Sequence, residues 1–114
     1  MADHRGHCHC GNLEVTFRTE KDASALGVRA CQCGFCRRHG ARTVTDPDGS
    51  VTIRVHDVRC LTRYRFGQSA ADFLLCSACG TYLGAVCEAD GCHYATLNVN
   101  CFTDTEAEIG RAHV

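Results

Sequence analysis

The chain has 114 residues, with 12 basic and 13 acidic side chains and a formal net charge of −1. That balance leaves no basic footprint for a nucleic acid or an anionic membrane surface, and no segment carries the run of apolar residues needed to span a bilayer. Eleven cysteines against no Trp, five Phe and three Tyr make disulfides or metal the first feature to explain.

In chain order, residues 1–7 (MADHRGH) are polar and are expected to be loose until Cys8 ties them down. Leu13, Val15 and Phe17 alternate with polar residues and predict a half-buried strand. Residues 19–25 are a polar connection. Val28 and Ala30 predict a second extended stretch that ends in Cys31 and Cys33. Gly40 and the Asp46-Pro47-Asp48-Gly49 turn bracket an extended piece at 43–45, and Val51, Ile53 and Val55 mark the next strand. Leu61, Tyr64 and Phe66 form a weaker one, followed by a loop over 67–72. Residues 73–75 lead into Cys76-x-x-Cys79-Gly80, the spacing of a tight turn that presents two thiols. Tyr82, Leu83 and Val86 predict a strand, 87–92 a hairpin loop, 94–102 the last strand, and 103–114 a short helix or disorder. No amphipathic helix of usual length emerges. The expectation is one all-β domain of short antiparallel strands spanning 1–114, small enough that its core is modest.

The cysteines fall into motifs. Cys8-His9-Cys10, Cys31-Gln32-Cys33-Gly34-Phe35-Cys36 and Cys76-Ser77-Ala78-Cys79 hold seven of them. On a strand, residues i and i+2 lie about 6.6 Å apart with parallel side chains, near the upper limit for a disulfide. The cysteine count is odd, and the N-terminal residues hold no apolar run of a secretory signal. These features favour a reduced, cytoplasmic chain whose clustered thiols bind metal.

Seven thiols are one short of two four-thiolate zinc sites. Structural zinc is closed by four protein ligands, whereas catalytic zinc keeps a position open. The natural partition gives Cys8, Cys10, Cys76 and Cys79 to a closed structural site, and Cys31, Cys33 and Cys36 to a second zinc with a vacancy. A thiol entering that vacancy is deprotonated, and the resulting thiolate suits attack on a small carbonyl. Arg37 and Arg38 either orient a carboxylate of such a substrate or form a solvated surface pair. His39 has three readings: it closes the second site as a fourth ligand, shuttles protons, or faces solvent. Cys60 and Cys101 read as small buried apolar residues, and Cys87 and Cys92 either pack in the same way or face each other across a hairpin. Ser77 and Asp57 have no visible His partner for a hydrolytic triad.

At these residues the chain resembles the glutathione-dependent formaldehyde-activating enzyme family, which shares its domain with centromere protein V. The features that carry the resemblance are Cys8-His9-Cys10-Gly11 before an alternating strand, Cys31-x-Cys33-x-x-Cys36-Arg37-Arg38, Cys76-x-x-Cys79-Gly80-Thr81 and the ending Asn98-Val99-Asn100-Cys101. They span about residues 6–104. His39 stands where that family more often has Ser or Thr. The resemblance implies a β-tent zinc fold with two zinc ions per chain. It implies a carbon–sulfur lyase activity, the reversible addition of glutathione to formaldehyde, with a small thiol and a small aldehyde as partners. Two other readings remain. One is a zinc-stabilised binding module without turnover. The other is a redox protein like the methionine-R-sulfoxide reductases, with Cys101 as nucleophile. The sequence sets no oligomeric state.

Overall fold

The computed structural model describes residues 2–22, 25–66, 71–89 and 91–103. In chain order these form β1 (Ala2–His7), β2 (Leu13–Thr19), the helix α1 (Gly34–His39), β3 (Thr43–Val44), β4 (Ser50–Val55), β5 (Leu61–Tyr64), β6 (Asp72–Cys76), β7 (Tyr82–Ala89) and β8 (Cys92–Asn98). They build a three-stranded sheet of order β1-β2-β4 and a five-stranded sheet of order β3-β8-β7-β6-β5. Every pairing is antiparallel. No helix among the described residues is long and apolar enough to cross a membrane.

Strand alternation decides which faces meet. On β2, Leu13, Val15 and Phe17 point inward and are buried, and they pair with Val55, Ile53 and Val51 of β4. The five-stranded sheet contributes Val44, Leu83 and Leu97 to the same buried cluster, which Val28, Val99 and Phe102 complete. The all-β expectation therefore holds, and the turn carrying Cys8 and Cys10 meets the turn carrying Cys76 and Cys79 where the two sheets join.

The structure corrects the sequence reading at four places. Residues 2–7 are not loose but form β1, paired along β2 from Ala2↔Thr19 to His7↔Glu14. Its inward positions are His4 and Gly6, so the apolar alternation that would reveal a strand is missing. Gly6 is required there, because the chain end crosses it: a Cβ at this position would meet the Cys101 carbonyl. The stretch after Val28 makes only a bridge between Arg29 and Thr43 before turning into α1. The β7–β8 hairpin is tighter than a loop over 87–92, since Ala89 pairs with Cys92. Cys87 is thereby set opposite Tyr94 and not Cys92. Finally, the last strand stops at Asn98, and a single 3-10 turn covers Val99–Cys101. The expected tail from 104 onward lies outside the described residues.

Two polar residues are buried on opposite terms. Asp46 has a full set of partners: Thr19 Oγ1 donates to it at 2.5 Å, the Asp48 N–H donates at 3.0 Å and Lys21 Nζ lies at 3.2 Å. The Thr19 hydroxyl foremost, then the Asp48 amide and Lys21, hold its carboxyl below the usual range against the opposing effect of burial. A carboxyl lowered in the folded state stabilises the fold at neutral pH, and that contribution fades progressively below about pH 4. His4, in contrast, is 4% exposed, sits between Phe17 and Phe102, and has no partner for either ring nitrogen among the described residues. An unpaired buried donor costs about 1–3 kcal/mol. His4→Leu, of similar volume, is therefore expected to raise stability by about 1 kcal/mol in urea denaturation.

Candidate metal centres

The first centre is built from two turns of similar design. Between β1 and β2, Gly11 donates its N–H to the Cys8 carbonyl at 3.1 Å, with φ at 86°. The Leu13 N–H then reaches back to Cys8 Sγ at 3.3 Å. Between β6 and β7, the Gly80 N–H donates to the Cys76 carbonyl at 2.7 Å, with φ at 82°. Each glycine adopts the left-handed backbone that side chains disfavour, which lets the chain curl around its sulfurs.

The two turns meet. Cys10 Sγ lies 3.8 Å from Cys8 Sγ and 3.6 Å from Cys76 Sγ, and the four sulfurs of Cys8, Cys10, Cys76 and Cys79 lie within 4.8 Å of one another. A disulfide needs about 2.05 Å. Four thiolates around one ion with bonds of about 2.3 Å stand about 3.8 Å apart. The spacing thus fits a shared metal ion and not a covalent bridge.

Thr81 ties the two turns together, since its Oγ1 accepts the His9 N–H at 3.2 Å and lies 3.3 Å from Cys79 Sγ. Only the place of Thr81 after Cys79-Gly80 marked it in the sequence. His7 is turned to the Cys8 carbonyl, to which its Nδ1 donates at 2.6 Å.

Without metal, four thiols cannot all ionise at once. Burial works against the Cys79 thiolate, but the Thr81 hydroxyl and the Cys10 and Thr81 amides outweigh it and lower that thiol to about 5. On Cys10 the Asn12 amide is favourable, yet Cys76, burial, Cys8 and Cys79 together push the thiol up to about 12. A dication therefore has to displace protons, and protons compete with it. Metal affinity is expected to fall by about tenfold or more for each pH unit below neutrality, measured by competition with a chromogenic chelator.

The second centre lies at the start of α1. Cys33 caps this six-residue helix in an extended conformation (φ −65°, ψ 155°), and its Sγ accepts the Cys36 N–H at 3.4 Å. Gly40 ends the helix in the left-handed region at φ 58°. This short turn of helix is what gathers Cys31, Cys33 and Cys36, whose sulfurs lie within 4.8 Å of one another. The Cys36 amide lowers the Cys33 thiol, while burial, followed by Cys33 and Cys31, pushes Cys36 up to about 12. This set could hold a metal ion by three thiolates.

His39 does not join the three sulfurs. Its Nδ1 donates to the Phe35 carbonyl at 3.0 Å, and its ring lies 4.3 Å from that of Phe35. Arg37 and Arg38 are exposed on α1 and form no ion pair among the described residues. Cys101 is buried, gives its S–H to the Tyr82 carbonyl at 3.4 Å, and has its thiol raised to about 12 by burial above all. A thiol so placed is a poor nucleophile, which argues against the redox reading.

The sequence reading missed the aromatic side chains around the second centre. Phe35 lies 4.8 Å from Phe73, 4.9 Å from Tyr82 and 5.7 Å from both Tyr64 and Phe66. Tyr82 is 2% exposed and packs with Cys36. Burial, then the neighbouring Cys36, Cys33 and Cys31 thiolates, raise its phenol and keep it neutral. Its carbonyl also accepts the Asn98 side chain at 2.9 Å, which anchors β7 behind the cluster. Only proximity in the fold unites these rings, because they come from α1, β5, β6, β7 and the segment after β5.

No protein-family model and no curated protein matches the chain. Among solved structures it is similar to a Rhodobacter sphaeroides protein from a structural-genomics effort. The two are 30% identical with a TM-score of 0.68, over 88% of each chain. At that identity and coverage the chain belongs to the same family as the Rhodobacter sphaeroides protein, whose description gives no activity.

Proposed function

We propose that the chain is a cytoplasmic two-zinc protein of the formaldehyde-activating type. In this reading Cys8, Cys10, Cys76 and Cys79 hold a structural zinc, and Cys31, Cys33 and Cys36 hold a second one. At the second centre a small thiol such as glutathione adds reversibly to formaldehyde or another small aldehyde. The supporting observation is the asymmetry of the two clusters: four sulfurs gather in one and three in the other, with no fourth Cys, His, Asp or Glu donor joining the three among the described residues. An all-sulfur donor set favours zinc over the harder magnesium and calcium ions.

Cys31, Cys33 and Cys36 would hold the second zinc, which would supply the acidity that keeps an incoming thiol in its thiolate form at neutral pH. The chain's own residues do the rest. Arg37 and Arg38, free of carboxylate partners among the described residues, are available to orient the carboxylates of a peptide thiol. The half-buried ring of Phe35 shields one side of the cluster from water. In the addition, the sulfur lone pair forms the carbon–sulfur bond and the carbonyl π pair moves to oxygen. That oxygen takes a proton from solvent, and the proton lost by the thiol has gone to solvent, so the reaction is balanced without a redox partner. The breakdown direction reverses each movement.

The test is exchange NMR on glutathione, formaldehyde and their adduct. The expected result is a rate of interconversion that rises above the buffer rate in proportion to zinc-loaded protein. No acceleration from protein carrying both metals would remove the enzymatic reading and leave the zinc-stabilised binding module.

A further inference from the structure

Beside the three-cysteine cluster, Gly34, Phe35, Arg38, Tyr64 and Phe66 line an open cavity of about 370 Å³. The proposed reaction draws on Arg38 but does not require the aromatic wall beside it. Formaldehyde has no apolar surface to bury, and glutathione is charged and polar along its length. The cavity offers the reverse, an apolar wall with one cation at its rim.

The wall is aromatic. The rings of Phe35, Tyr64 and Phe66 lie 5.5–5.7 Å apart and within 30° of parallel. Tyr64 keeps 47% of its surface exposed on the edge strand β5. Exposed apolar surface gathered into a concave site marks a place where a ligand is bound.

The cation is Arg38. Arg18, Arg59, Arg63 and Arg65 each have a carboxylate partner, whereas Arg38 has none among the described residues. Its Nη1 is tied to the Gly34 carbonyl at 3.0 Å, which holds the guanidinium at the cavity and leaves four of its five N–H donors for a ligand. Glycine at 34 leaves room for this placement, since a Cβ there would lie a tight 3.0 Å from that same Nη1.

We infer that the cavity formed by Phe35, Tyr64, Phe66 and Arg38 binds the flat ring of an aryl carboxylate, with the ring on the aromatic wall and the carboxylate on the guanidinium. The inference rests on the proposed thiol–aldehyde reading only for its consequence. Because Phe35 lies between Cys33 and Cys36 in the chain, the adduct favoured at this centre is one whose aldehyde or thiol carries an aromatic acid.

Benzoate tests the site without any thiol chemistry. Titrated into zinc-loaded protein and followed by amide NMR, it is expected to shift the signals of residues 34–38 and 64–66 saturably. Its binding should be at least about tenfold tighter than that of acetate, which lacks the ring, or benzyl alcohol, which lacks the charge. Arg38→Gln, an exposed change that leaves the fold intact, is expected to weaken benzoate by about tenfold. Benzoate that fails to bind, binds no better than acetate, or is indifferent to Arg38→Gln overturns the inference. Benzoate binding without acceleration of glutathione–formaldehyde exchange keeps this site and removes the lyase reading, and acceleration without benzoate binding does the opposite.

Discussion

Cys76→Ser is expected to leave the chain largely unfolded at room temperature. Cys76 is fully buried at the end of β6, and its sulfur meets that of Cys10 across 66 residues of sequence. The four-thiolate centre joins the β1–β2 turn of one sheet to the β6–β7 turn of the other. A structural metal of this kind contributes about 10 kcal/mol or more to folding, while a whole domain is stable by only about 5–15 kcal/mol. Serine does not replace the ligand, because its hydroxyl stays protonated where a thiol ionises. The loss therefore exceeds the roughly 2–5 kcal/mol of an ordinary core truncation. Far-UV circular dichroism of the variant checks it, and a strong chelator added to the wild-type protein is expected to give the same spectrum.

Cys33→Ser is expected to do the opposite: it should spare the fold and remove the chemistry. Serine is among the preferred helix-capping residues, so its hydroxyl can accept the Cys36 N–H that Cys33 Sγ accepts now. Cys33 also lies outside the main buried cluster. The second metal, however, would be left with Cys31 and Cys36 alone. Changing even the outer partners of a metal ligand lowers affinity or activity by about 10–100-fold. Losing a direct ligand should therefore reduce glutathione–formaldehyde exchange by more than about a hundredfold. A folded Cys33→Ser protein with unchanged exchange would show that the three-cysteine cluster is not the working site.

The parts of the fold that the sequence revealed are those where one residue in two is apolar. Leu13, Val15 and Phe17 of β2, and Val51, Ile53 and Val55 of β4, bury or half-bury that alternation, and their register pairs them directly. Strand β1 was hidden because His4 and Gly6 occupy its inward positions; it is held by pairing to β2 rather than by apolar side chains. Helix α1 was hidden because six residues are too few to show a period. Its signals are local instead, a cap at Cys33 and a left-handed glycine at Gly40.

The metal motifs were legible because ligands on tight turns keep a short spacing in sequence. That Cys10 meets Cys76 is a long-range fact, which a count of thiols could suggest but not place. Long-range assembly also explains why the aromatic wall escaped notice. Phe35, Phe73 and Tyr82 belong to different elements from Tyr64 and Phe66, and no periodicity connects the three to that pair. Of the two readings of Cys87 and Cys92, the one that has them face each other fails for a simple reason of register. The pairing of β7 with β8 puts Cys92 opposite Ala89 and Cys87 opposite Tyr94.

The most direct measurement of the central claim is the metal count per chain by native mass spectrometry under reducing conditions, on the wild-type protein and on Cys33→Ser. Two zinc ions are expected in the wild-type chain and one in the variant, with the variant still folded. Two zinc ions retained in Cys33→Ser, or a wild-type chain that takes up no more than one when zinc is in excess, would contradict it.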